Sequence, residues 1–165
     1  GYAITAVVGR PEIKDVANEL FDSSTFWSER LGPSAALAAL QAMRQDDAPQ
    51  RINHLGMRFR ALLTEALSED AAKIHFSGLP ALTNFRIEGF EDAAVVKTYL
   101  VQYLLSAGYL GGTALYTSLP HEKEIHEYVD VLGQGLLNIL RLGPSQLLDQ
   151  IGHQPIAATG FTRLA

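Results

Sequence analysis

The chain has 165 residues, 47% of them hydrophobic and 19% charged, with a formal net charge of -5. That apolar content offsets chain entropy and excludes a disordered polypeptide, while the acidic balance excludes the basic stripe of a nucleic-acid-binding face. Cysteine is absent, which excludes disulfides, thiol catalysis and thiolate metal sites and suits a reducing, cytoplasmic setting. No stretch approaches the ~18 consecutive apolar residues of a membrane span.

The opening GYAITAVVGRPEI has no initiator Met and no charged segment before an apolar core, so it is no signal peptide and reads as a chain entered partway. Residues 3–9, AITAVVG, are β-branched and almost wholly apolar, the pattern of a strand buried on both faces. RPEIKDVAN then predicts a short helix, with Pro11 in its first turn and Glu12 where the helix dipole favours an anion. The loop after it runs Ser23, Ser24 and Thr25 straight into Phe26 and Trp27, followed by Glu29, Arg30 and a Gly32-Pro33 stop. Large aromatics in a loop leave apolar surface in water unless something covers them, and aromatics are enriched at interfaces. An alanine-rich helix is expected from about Ser34 to Arg44, with small residues at 35, 36, 38 and 39 that admit a close neighbour.

QDDAPQ, residues 45–50, is a polar break with a helix-start signature in Asp47, Pro49 and Gln50. The helix it opens places Ile52, Leu55, Phe59, Leu62, Leu63 and Ala66 on one face. KIHFSG and TNFRIEG read as short strands joined through Gly78 and Pro80. DAAVVKTYLVQYLLSAG is a helix with Val95, Tyr99, Tyr103 and Leu104 inward and Gly108 as C-cap, and YLGGTALYTSL is a strand interrupted at Gly111-Gly112. PHEKEIHEYVDVLGQGLLNIL is an amphipathic helix with Ile125, Val129, Leu132, Leu136 and Ile139 on its apolar face. From RLGPSQLLDQ onward the patterning weakens to a helical turn and a loose tail. The second part can make an antiparallel sheet covered by helices, whereas a doubly buried strand at 3–9 needs neighbours that the chain does not supply nearby.

Few residues carry catalytic chemistry by themselves. His121 and His126 are five apart, diverging by about 140° around a helix, so they read as a solvated face and not as a metal pair. His54, His75 and His153 are isolated. Lys73 sits at a polar strand entry, and Lys14, Lys97 and Lys123 fall on helix surfaces, so none has the desolvated setting of an amine nucleophile. Gly111-Gly112-Thr113 reads as a strand kink before an anion cradle. The hydroxyls and turn amides around Ser24 and Thr25 suit a phosphate about as well as they suit a packed surface turn.

Those residues also carry a resemblance. Gly1-Tyr2, Ile4, Ala6 to Arg10, Ser23 to Trp27, Glu29, Arg30, Gly32, Pro33 and Ala35 to Ala38 resemble the middle of a class III aminotransferase, in the glutamate-1-semialdehyde aminomutase-like subgroup. FSGLPALTNFRI, LLSAGYL and SLPHEKEIHEYVDVL resemble its small-domain segments, so the likeness runs from residue 1 to about 140. The resemblance implies fold type I and the cofactor pyridoxal 5′-phosphate. It also implies a homodimer with active sites at the subunit interface, a small amino substrate, and neither nucleic acid nor membrane as partner. Residues 1–45 would close the cofactor-binding large domain, 46–145 would form the small α+β domain, and 146–165 would be a tail.

The Schiff-base lysine of the family would lie upstream of Gly1, so no catalytic residue is expected here and the fragment alone is expected to be inactive. By the same resemblance, Thr25, helped by the amide around Ser24, would reach the partner subunit's cofactor phosphate. Phe26, Trp27 and Glu29 would line or support the active-site mouth. The ALYTS segment with Gly111-Gly112 departs from the aminomutase pattern on the substrate side, and Arg30 and Arg86 are the candidates for a substrate carboxylate. The alternatives are an aminotransferase for a sugar or another amino donor, and a non-catalytic dimerisation remnant.

Overall fold

The computed structural model describes residues 2, 4–20, 29–152 and 156–157. The chain divides into two compact units, Gly1–Ala48 and Pro49–Ala165.

Among its described residues the first unit holds two helices, α1 (Pro11–Asn18) and α2 (Leu31–Gln45). Pro11 opens α1 and Glu12 sits in its first turn, as the sequence leads one to expect. The strand expected at 3–9 is not formed in the described residues 4–10, where Val7 and Val8 are 93% and 89% exposed. A strand needs neighbours to take its N–H and C=O groups, and the described residues of this unit contain no other strand. Gly32-Pro33, expected to stop the chain before a helix, instead lies inside the first turn of α2. Proline is tolerated there because the first N–H groups of a helix have no intrahelical acceptor.

The second unit is a small α+β domain with a three-stranded antiparallel sheet. In chain order it contains α3 (Ala48–Leu67), a 3-10 turn (Ser68–Lys73), β1 (Ile74–Ser77), β2 (Leu82–Ile87), α4 (Ala93–Ser106), β3 (Ala114–Tyr116), a second 3-10 turn (Leu119–Lys123) and α5 (Ile125–Ile151). The sheet order is β1-β2-β3, with Phe76 opposite Phe85 and Thr83 opposite Leu115. Burial alternates strictly along β2, with Thr83, Phe85 and Ile87 inward and Leu82, Asn84 and Arg86 outward, the two-residue period of a half-covered sheet.

The core joins Leu55, Phe59, Leu63 and Leu67 of α3 to Val95, Val96, Leu100 and Leu104 of α4 and to the apolar stripe of α5. Ala66 is exposed, and Leu67 takes the inward place. Asp92 caps α4 by accepting from the amides of Ala94 and Val95 at 3.0 and 3.3 Å. At Gly143 (φ 71°) and Pro144 α5 kinks, and its last turns return Leu147 and Ile151 to the core. The loose tail expected after Leu140 is therefore packed helix as far as Ile151. The sequence hid this because Gly-Pro reads as the end of the last helix, whereas here Gly143 (φ 71°, ψ 171°) breaks the helical geometry and a further helical stretch follows it.

Candidate functional site

The described residues most suited to holding a ligand lie where α4, β3 and α5 meet. α4 ends at Gly108 (φ 88°), with the Tyr109 amide donating to the Leu104 carbonyl at 2.9 Å and the Gly108 amide to Leu105 at 3.0 Å. This left-handed turn satisfies the last carbonyls of the helix and sends Tyr109 across the start of α5. The following Gly111 is needed for contact: a Cβ there would fall 2.7 Å from the Tyr128 hydroxyl and 2.8 Å from the Leu104 side chain. Gly111-Gly112 is thus a close-packed bend leading into β3 at Ala114.

The result is a cleft of about 590 Å³ whose lining includes Tyr109, Leu115, Tyr116, His121, Glu124 and Tyr128. Tyr109 and Tyr128 meet edge to face with ring centroids 5.4 Å apart, and Phe59 backs Tyr128 at 6.4 Å. Burial pushes the Tyr128 hydroxyl up to about 12. The Tyr109 hydroxyl is raised by burial and then by the carboxylates of Glu127 and Glu124. Both phenols therefore stay protonated near neutral pH and act as hydrogen-bond donors, not as bases. His121 is oriented by the Ser118 amide, which donates to its Nδ1 at 3.1 Å and leaves Nε2 to carry the proton of the neutral ring. Aromatic walls, fixed donors and one carboxylate suit a flat or cationic ligand body.

The other candidates from sequence are dispersed. Ser24, Thr25, Phe26 and Trp27 lie outside the described residues; Glu29 and Arg30 are exposed just before α2. Arg86 is exposed on the open face of the sheet beside His75, whose Nε2 lies 3.2 Å from Glu88. Lys73 is paired with Asp70 at 2.8 Å, and all four lysines are exposed. His153 is outside the described residues. The sequence did not reveal the tyrosine cleft because its residues come from a helix end, a strand and another helix. The only local signal was Gly111-Gly112 set between Tyr109 and Tyr116.

Among known proteins, the chain is 32% identical over 104 residues to a 3-aminobutyryl-CoA aminotransferase of Cloacimonas acidaminovorans. The match takes in 62% of this chain and 25% of that protein, so the chain spans about a quarter of the length of the curated relative it matches. The similarity relates this chain to an aminotransferase. No family profile matches it, and no solved structure does.

Proposed function

We propose that this chain is part of a pyridoxal-5′-phosphate-dependent aminotransferase of class III, fold type I, acting as a homodimer that moves an amino group on a small substrate. The observation that carries the reading is the 32% identity to an aminotransferase, and the SSTFW loop of the sequence supports it. The cofactor, when bound, would supply the electron sink that lets an amino group leave one carbon and join another. The residues described here offer that cofactor no desolvated amine, since every lysine is exposed. The nucleophile would come from polypeptide outside this sequence.

Thr25 and the amide near Ser24 would hold the cofactor phosphate of the partner subunit, with Phe26, Trp27 and Glu29 at the mouth of that site. A hydroxyl and backbone amides suit a phosphate because they bind a lasting anion without entering proton transfer. The solvent-open apolar side chains of the first unit, Val7, Val8, Leu37 and Leu40 among them, favour an additional protein surface against it. A second reading, a non-catalytic dimerisation module, is favoured by the same exposed lysines.

Cofactor titration of the full-length protein containing this sequence, with and without Thr25→Ala, tests the proposal. An absorbance band of bound cofactor is expected, and the substitution should weaken retention by ~1–3 kcal/mol, the scale of a lost hydrogen bond to a charged group. No band would favour the dimerisation module, and an unchanged affinity would remove Thr25 from the phosphate site. Substrate assays should include a β-amino acyl thioester, the substrate type named for the relative, alongside a semialdehyde and an amino sugar.

A further inference from the structure

A second cleft, of about 680 Å³, lies between α3 and the 3-10 turn before α5. Its charged lining is Arg51, Arg58 and Lys123 against the single carboxylate of Glu122, with His54 beside them. On α3, Arg51, His54 and Arg58 follow one another at three and four residues, so they form one stripe facing the turn.

At one end the Arg51 guanidinium grips Glu122 with two bonds, Nε to one carboxylate oxygen at 3.0 Å and a terminal nitrogen to the other at 2.6 Å. Glu122 is held below the usual carboxylate range, first by that hydrogen bond and then by the charges of Arg51, Arg58 and His54, against an opposing effect of burial. At the other end Arg58 donates to Nε2 of His126. Arg58 makes no ion pair among the described residues. A permanent cation is thus satisfied by a ring nitrogen while the one carboxylate of the cleft is engaged elsewhere. In a chain of net charge -5, this leaves a local excess of positive charge lined by donors.

We infer that this cleft binds a phosphate group, with Arg58 and Lys123 as its charged ligands, His54 as a flanking donor, His126 holding the Arg58 guanidinium from behind, and the Arg51–Glu122 pair as its fixed wall. A tetrahedral dianion fits this set better than a carboxylate, because it accepts from several directions at once and matches more than one cation. The group could be free phosphate or the phosphate of an organic ester. The site does not depend on the aminotransferase reading and is separate in sequence from the SSTFW loop.

The test is titration of the 165-residue chain with inorganic phosphate, adenosine 3′,5′-bisphosphate and malonate at constant ionic strength. Binding would be followed by calorimetry and by the histidine ring resonances. Saturable binding of one or both phosphate probes is expected, with the His54 and His126 signals moving. Arg58→Ala and Lys123→Ala should each weaken it by about tenfold or more, while Lys97→Ala on α4 should not. Tighter binding of the bisphosphate would identify an organic ester as the ligand, and equal binding would identify phosphate itself; either result upholds the site. Three results would overturn it: no saturable binding, affinity unchanged in both cleft variants, or malonate binding as tightly as phosphate. An equal loss in Lys97→Ala would show a bulk charge effect and overturn it too. Lys123→Ala provides a second reading on an exposed side chain should Arg58→Ala fold poorly.

Discussion

Tyr128 shows how a single side chain links packing to chemistry. Its ring lies between Phe59 and Tyr109, and its hydroxyl is the atom that a Cβ on Gly111 would strike. Burial penalises the phenolate and raises its ionisation from 10.0 to about 12. A group whose folded value lies above its unfolded one stabilises the fold fully below the unfolded value, and the benefit disappears as pH rises through the folded value. Stability should therefore fall between about pH 10 and pH 12, by up to ~2–3 kcal/mol from this residue. Urea unfolding across that range checks it. Tyr128→Phe should flatten most of the alkaline slope while leaving stability near neutral pH little altered, and a slope identical to that of the parent would refute the assignment. Tyr109, shifted in the same direction, is the source expected for whatever slope remains.

Among the elements, α3 and the β1–β2 hairpin are joined by Arg60. Its Nε donates to Thr83 Oγ1 at 2.8 Å, a terminal nitrogen donates to the carbonyls of Ser77 and Gly78 at 3.2 and 2.9 Å, and the guanidinium lies 5.7 Å from the Phe76 ring centroid. Thr83 is fully buried and passes its own proton to the Pro80 carbonyl at 2.8 Å, so one arginine satisfies a core hydroxyl and the turn after β1. Arg60→Met keeps the aliphatic stem and removes these donors, and should cost ~2 kcal/mol of unfolding free energy, the range for bonds to a charged group. A double-mutant cycle with Thr83→Val should show coupling, and strict additivity would count against the bracket. Nothing in the sequence announced this residue, because long-range polar contacts leave no periodic trace. The apolar stripe of α5 was legible for the opposite reason: Ile125, Val129, Leu132, Leu136 and Ile139 recur at helical spacing and all are buried. α4 was half legible. Val95 and Leu104 are inward as expected, but Val96, Thr98 and Leu100 are buried too, so more than one face is covered. Thr98 is tolerated inside because it donates to the Ala94 carbonyl and accepts from the Ala157 amide.

The whole molecule is unequal in its two units. Apart from Ala48, every buried apolar side chain among the described residues belongs to Pro49–Ala165. The strand pattern at 3–9 misled for this reason: it described side chains suited to burial, and burial requires a surface to pack against. The site that local spacing suggested, the SSTFW loop, lies outside the described residues. The tyrosine cleft and the Arg51–Glu122 pair are assembled from residues distant in sequence. A consequence follows for stability. The second unit has its own sheet, three covering helices and one continuous core, so residues 49–165 alone should fold and unfold in one cooperative transition. Residues 1–48 alone should not, since an eight-residue helix and a fifteen-residue helix without a buried face sit near the length at which isolated helices are marginal in water, ~12–15 residues. Calorimetry of the two pieces decides it: equal calorimetric and van't Hoff enthalpies are expected for 49–165, and no transition for 1–48. Failure of 49–165 to unfold cooperatively would mean that the core as described is incomplete without the first unit.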